Sequence, residues 1–120
     1  MKGYSAFVLT ENSRKSIAEN FKPKYDKFIG HHITDEFGIE MPEIVQAKSI
    51  EIVGYACDNN IEAFIVEIDR SATRKDGGMF HLTWSLRNGH KPVESNNLIK
   101  SGFRRIEPIK IRAEKSFIFF

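Results

Sequence analysis

A single cysteine, Cys57, leaves no second thiol for an internal disulfide, so the fold has to stand on its core. The lone thiol favours a reducing compartment and is expected as a small buried residue in a strand. The chain has no run of about 20 apolar residues and no N-terminal apolar segment ending in a cleavage site. The expectation is therefore a soluble, cytoplasmic chain with no membrane partner. Proline is scarce, at four residues, and no linker, low-complexity tract or charge run divides the sequence. One domain over 1–120, acting as a monomer, is expected. No Cys pair and no His-x3–5-His spacing occurs, so the reading includes no metal and no other cofactor.

Charge of one sign is missing too. Eighteen Lys and Arg face 16 Asp and Glu, for a formal net charge of +2 and a pI near 8.7. A phosphate can approach such a chain, but the dense basic stripe of an extended duplex footprint is absent. This favours a small phosphorylated ligand or the end of a strand. What is present is 41% hydrophobic residues, with ten Phe against one Trp, which predicts a Phe-packed core. A chain of this length buries roughly two-thirds of its unfolded surface, enough for a real core.

Tyr4–Leu9 reads as a first strand. Thr10, Asn12 and Ser13 offer capping oxygens for a helix whose apolar stripe is Ile17, Ala18 and Phe21, stopped by Pro23. Lys27–Thr34 is the next strand, and Glu36–Glu43, with Gly38 and Pro42, reads as a loop. Ala47–Tyr55 and Glu62–Asp69 form a hairpin around Asp58-Asn59-Asn60. Arg70–Gly78 is a polar loop whose Arg70, Arg74 and Lys75 are either simply solvated or close over a ligand, and Met79–Leu86 is a strand. Asn88-Gly89 marks a turn, with His90 on it exposed and without a role. Ser95–Ser101 is a short helix capped by Ser95 or Asn96, with Gly102 just past its end. Ile106–Arg112 and Lys115–Phe120 close the chain as strands. The order predicts an α+β domain with helices against antiparallel sheet.

Two His-x-Thr segments carry the chemistry. Side chains alternate along a strand. Phe80, Leu82, Trp84 and Leu86 therefore share an apolar face, while His81, Thr83 and Ser85 share the opposite one, a row of imidazole and hydroxyls that wants water or a ligand. In the earlier strand Phe28, Gly30, His32 and Thr34 share a face, and Ile29, His31 and Ile33 the other. His31 is expected at a sheet edge or against the core rim.

Phosphodiester hydrolysis needs a base for the attacking water and an acid for the departing oxygen. Histidine, with an ordinary pKa of about 6.5, can do either near neutral pH. Two of them on opposite sides of a phosphate can divide the roles, and the threonine two residues along can hold a nonbridging oxygen. Lys91, Ser95, Asn96 and Asn97 are candidates to line the groove and touch phosphate or ribose. Tyr4 and Phe7 have opposite parity, so one of them can offer a ring for a base. Trp84 belongs to the core.

Gly30-His31-His32-Ile33-Thr34 and Phe80-His81-Leu82-Thr83-Trp84-Ser85 resemble the two motifs of the two-histidine (2H) phosphoesterase superfamily. The first strand and its helix resemble that family's opening, and Lys91-Pro92-Val93-Glu94-Ser95-Asn96 looks like its RNA-repair, tRNA-ligase-like branch. The motif spacing is short for the family, which implies trimmed lobes, and Asp35 stands where the family usually places an apolar residue. The resemblance implies a bilobal α+β fold: two antiparallel sheets flanking a central groove, helices outside. It implies a metal-independent phosphodiesterase acting on an RNA 2′,3′-cyclic phosphate end, a small cyclic nucleotide or a cyclic oligonucleotide, leaving a 2′-phosphate from a 2′,3′-cyclic end. His32 and His81 would be acid and base, in either order, and Thr34, Thr83, Ser85, Lys91, Ser95 and Asn96 would bind substrate. The alternatives are a nucleotide or RNA-end binding module using the same groove without turnover, and an interaction domain with no site.

Overall fold

The computed structural model describes residues 2–120. The strand β1 (Lys2–Leu9) leads into the helix α1 (Glu11–Asn20). Thr10 is the residue that caps this helix, its hydroxyl accepting the Ser13 N–H at 3.2 Å. The helix turns its one buried side chain, Ile17, onto the sheet, with Ala18 and Phe21 beside it.

Lys27–Thr34 is not one strand. It breaks into β2 (Lys27–Phe28) and β3 (His32–Glu40). Both lie along β6 (His81–Leu86), Phe28 opposite Ser85 and Ile33 opposite Leu82. Five residue steps on one side thus face three on the other, and Gly30 absorbs the excess with φ +49°. The slip reverses the expected parity: Phe28 packs edge-on against Trp84 in the core, while His32 faces the opposite way. The expected loop over Glu36–Glu43 is strand as far as Glu40. Pairing with β1 from Lys2↔Glu40 to Val8↔His32 carries the chain through Gly38, which kinks at φ +70°.

The hairpin forms as expected, from β4 (Ile50–Cys57) and β5 (Ile61–Ile68), with the Asp58 carboxylate accepting the Asn60 and Ile61 N–H groups in the turn. Cys57, expected to be buried, lies exposed at the end of β4. After β6, a single 3-10 turn (Pro92–Glu94) runs into α2 (Ser95–Lys100), and β7 (Arg104–Lys110) and β8 (Ala113–Phe119) follow.

The strands run in one path, β7-β4-β5-β6-β3-β1-β8, so the expected pair of separate sheets is replaced by a single α+β sheet of antiparallel neighbours. Its two halves meet at β3 and β6 through Ile33↔Leu82. The edge strands β7 and β8 are joined by only Ile111 and Arg112. Three Cα steps span at most about 11 Å, so the sheet has to curl into a half-barrel. The Ile111 N–H donates to Ile50 and the Arg112 carbonyl accepts from Thr10, which closes that corner.

Inside the curl lies the main core, with Phe7, Ile33, Phe64, Leu82 and Trp84, closed by Ile17 of α1. Asp35 points to this side as well. It sits 7% exposed between Lys115 (2.9 Å) and Ser5, so the departure from the family pattern is accommodated as a buried ion pair. Leu98 and Ile99 of α2 cover the other face, over Ala63 and Ile65. The helices therefore lie on opposite faces, and the uncovered part of the α2 face is where the candidate site opens. No helix among the described residues is long and apolar enough to cross a membrane.

Candidate active site

One ladder pair organises the site. Ile33 pairs with Leu82 in antiparallel register, so His32 and Thr34 flank that pair on β3 as His81 and Thr83 flank it on β6, running in opposite directions. The result is a diagonal, two-fold arrangement of imidazole and hydroxyl. All four side chains line one cavity of about 390 Å³, together with Tyr4, Ile29, Phe37, Arg74, Asp76, Pro92, Val93 and Asn96.

Burial and neighbours set the charge of the two rings. His32 is pushed down to about 4, first by burial and then by the nearby His31 and His81. Burial also lowers His81, with Arg74 adding to it and the hydrogen bond to Met79 opposing. Both rings are thus neutral at pH 7. The Met79 carbonyl, 3.0 Å from His81 Nδ1, can only accept, so Nδ1 carries the hydrogen and Nε2 keeps a lone pair.

This sets a stability prediction. The unfolded chain takes a proton on His32 near 6.5, while the folded chain resists until about 4. Between those values the unfolded state holds more protons, so the stability present above about 6.5 is lost as pH falls through the window. Partial exposure reduces the effect to about 1–2 kcal/mol. His32→Asn is expected to lose less melting temperature than the unaltered chain between about pH 7 and pH 4.5. Equal losses would contradict it.

Thr83 is held by Ser95, hydroxyl to hydroxyl at 2.8 Å, with the Pro92 carbonyl at 3.4 Å. Ser95 is therefore no helix cap and does not line the cavity. It is fully buried and acts behind Thr83. Asn96 does line the cavity, its amide bonded to the Val93 carbonyl.

Ser85 and Lys91 are not brought to the site. Thr83 pairs with Ala63 and Ser85 with Glu62, which leaves Trp84 as an extra residue, a bulge in β6. Beyond it the alternation reverses. Leu86 joins the α2-side cluster, and Ser85 turns to the core side, where it donates to Glu62 at 2.6 Å and accepts from the Tyr25 N–H. Lys91 is exposed, its main-chain N–H held by Glu94. The His90 ring also meets the Glu94 carboxylate, at 2.9 Å.

His31 was expected on the face opposite His32. Lying in the break before β3, it instead sets its ring edge against His32, Nδ1 to Nδ1 at 3.0 Å. Of the Arg70–Gly78 residues, Arg74 reaches the cavity. A Cβ on Gly78 would lie 2.4 Å from its guanidinium, and Asp76 pairs with it at 3.2 Å. Lys75 is engaged with Glu36 outside. Of the two aromatic candidates, Tyr4 faces the cavity, its ring 5.6 Å from His32 and stacked on Phe37, while Phe7 is buried. Phe37 and Asp76 escaped the sequence reading. The extension of β3 past Thr34 that places Phe37 depends on pairing with β1, which no local pattern signals.

Among the described residues no cluster of three or more His, Cys, Asp or Glu side chains is arranged to hold a metal ion. Comparison with family models, curated proteins and solved structures finds no match to this chain.

Proposed function

We propose that this cavity is the active site of a metal-independent cyclic phosphodiesterase of the 2H type. The observation that carries the reading is the convergence of His32, Thr34, His81 and Thr83 on one cavity in diagonal register. In this reading the two halves of the sheet, joined at Ile33 and Leu82, are the trimmed lobes of the family's fold. The cavity is of a size that takes a small ligand. A phosphate set between the strands meets a threonine hydroxyl from each side and an imidazole from each side. His81, with Nε2 unprotonated, suits the base. Arg74 adds a cation that draws in and orients the phosphate anion. Tyr4 and Phe37 offer ring faces to a nucleobase, against Pro92 and Val93 across the opening.

The substrate class in this reading is a nucleoside or RNA end bearing a 2′,3′-cyclic phosphate, or a small cyclic nucleotide. The test is a panel of 2′,3′-cyclic nucleotides, cyclic dinucleotides and the 2′,3′-cyclic phosphate of ribose alone, with products resolved by mass spectrometry. The expected result is a monoester from a base-bearing substrate, unaffected by EDTA, with base-free ribose cyclic phosphate turned over more slowly. Binding without product would instead make the groove a nucleotide-binding module.

A further inference from the structure

His31 is left over by the chemistry above, yet it is the exposed half of a histidine pair. Its Nδ1 lies 3.0 Å from Nδ1 of His32, with the rings edge to face at 80°. Two ring nitrogens facing each other at that distance share one hydrogen, one N–H donating and one lone pair accepting. The tautomers of His31 and His32 are therefore tied to each other. When His31 supplies the hydrogen, His32 accepts at Nδ1 and carries its own on Nε2, the nitrogen left for the cavity. His81 has the opposite arrangement, because Met79 holds the hydrogen on its Nδ1.

We propose that His31 is a proton-relaying residue behind His32, which makes His32 the acid and His81 the base of the hydrolysis. The inference rests on the phosphodiesterase reading. The step balances as follows. Water attacks phosphorus and its proton passes to His81 Nε2. The ring P–O bond breaks, and the departing ribose oxygen keeps the electron pair and takes the proton from His32 Nε2. His32 Nδ1 takes a proton from His31 Nδ1. As His31 Nδ1 gives up that proton its Nε2 takes one from solvent, His81 returns its own to solvent, and the two rings of the pair regain their starting tautomers by exchange with solvent.

The device answers a difficulty of the site. A buried ring crowded by two other imidazoles is a poor store for a positive charge. An exposed partner can take a proton from water and pass it on, so that the charge is never stored on the buried ring. The other charged and titratable groups around the pair are His81 across the ladder, Arg74 beyond it, and the Tyr4 hydroxyl bearing side chain against the His32 ring. On α1 stands Arg14, bonded to the Ile29 carbonyl, and on β8 stands Glu114, opposite Val8, which itself pairs with His32.

His31→Asn keeps an N–H donor near the position of Nδ1 but cannot relay a proton. Two substrates separate relay from simple support: a nucleoside 2′,3′-cyclic phosphate, whose alkoxide leaves poorly, and a p-nitrophenyl phosphodiester, whose leaving group needs no proton. On the cyclic phosphate kcat is expected to fall about 10- to 100-fold with KM unchanged. The p-nitrophenyl ester is expected to keep its rate within about twofold. Equal losses on both substrates, or no loss on either, would overturn the relay. If the unaltered protein turns over no cyclic phosphate, the phosphodiesterase reading fails and the relay falls with it, an outcome distinct from an active protein indifferent to His31→Asn. Imidazole ¹⁵N spectra of the resting protein add a readout free of turnover. The hydrogen is expected on Nε2 of His32 and on Nδ1 of His81, and finding it on Nδ1 of His32 overturns the proposal.

Discussion

Replacing His81 by alanine is expected to lower kcat on a nucleoside 2′,3′-cyclic phosphate by about 10²–10⁴-fold, with His32→Ala losing a comparable factor. The size follows from the role, since each ring moves a proton in the step that makes or breaks a P–O bond. Neither histidine belongs to the two apolar clusters that hold the fold, so melting temperature should change little in either variant. The double variant should be little worse than the worse single one, because acid and base act on one displacement and their losses do not add. The pH profile carries a second signature. Burial lowers His81, so the acidic limb of kcat/KM should lie below the ordinary imidazole range of about 6.5. Full activity in both single variants would end the enzymatic reading.

Those two histidines were legible in the sequence because their local alternation is intact where it matters. His81-Leu82-Thr83 is a clean three-residue stretch of β6, and Leu82 does pack inside while its neighbours line the cavity. The reading failed one residue later. The bulge at Trp84 exists because β5 and β6 accommodate an extra residue there, a property of the pair that neither strand announces alone. Ser85 was lost from the site for that reason, and its hydroxyl serves the buried Glu62 instead. Glu62 also takes the Lys24 N–H and the Tyr55 hydroxyl, fastening the segment before β2 to the sheet. His31 and Phe28 were misplaced by a second irregularity of the same kind, the slip at Gly30. The strand-and-helix order survives these errors since it depends on long apolar patterns. The separation into two sheets did not, because the join at Ile33↔Leu82 is a tertiary choice. Tyr4, Phe37 and Arg74 reach the cavity through pairing and turn geometry that a one-dimensional pattern does not contain.

Gly30→Ala is expected to be strongly destabilising for so small a substitution. Its φ of +49° lies in the left-handed region, where a side chain costs roughly 1–2 kcal/mol. A Cβ there would also stand 2.7 Å from the Phe28 ring and 2.7 Å from the Trp84 ring, both closer than carbon atoms approach. Trp84 is fully buried and its indole N–H is fastened to the Phe21 carbonyl at 2.9 Å, so it cannot swing away cheaply. Overpacking of this kind typically adds about 1–3 kcal/mol. The sum, about 2–5 kcal/mol, should lower the melting temperature by roughly 10 °C or more in a domain of this size. The functional loss should exceed what unfolding explains. The Gly30 N–H donates to the Thr83 carbonyl at 3.0 Å, and Gly30 is the hinge that turns His32 to the cavity. Any shift that relieves the clash therefore moves both His-x-Thr segments relative to each other. Measured at a temperature where the variant is still folded, kcat should be lower while circular dichroism is unchanged. An unaltered melting temperature would mean that the slip before β3 is not built as described. The diagonal placement of His32 against Thr83 would then lose its structural basis.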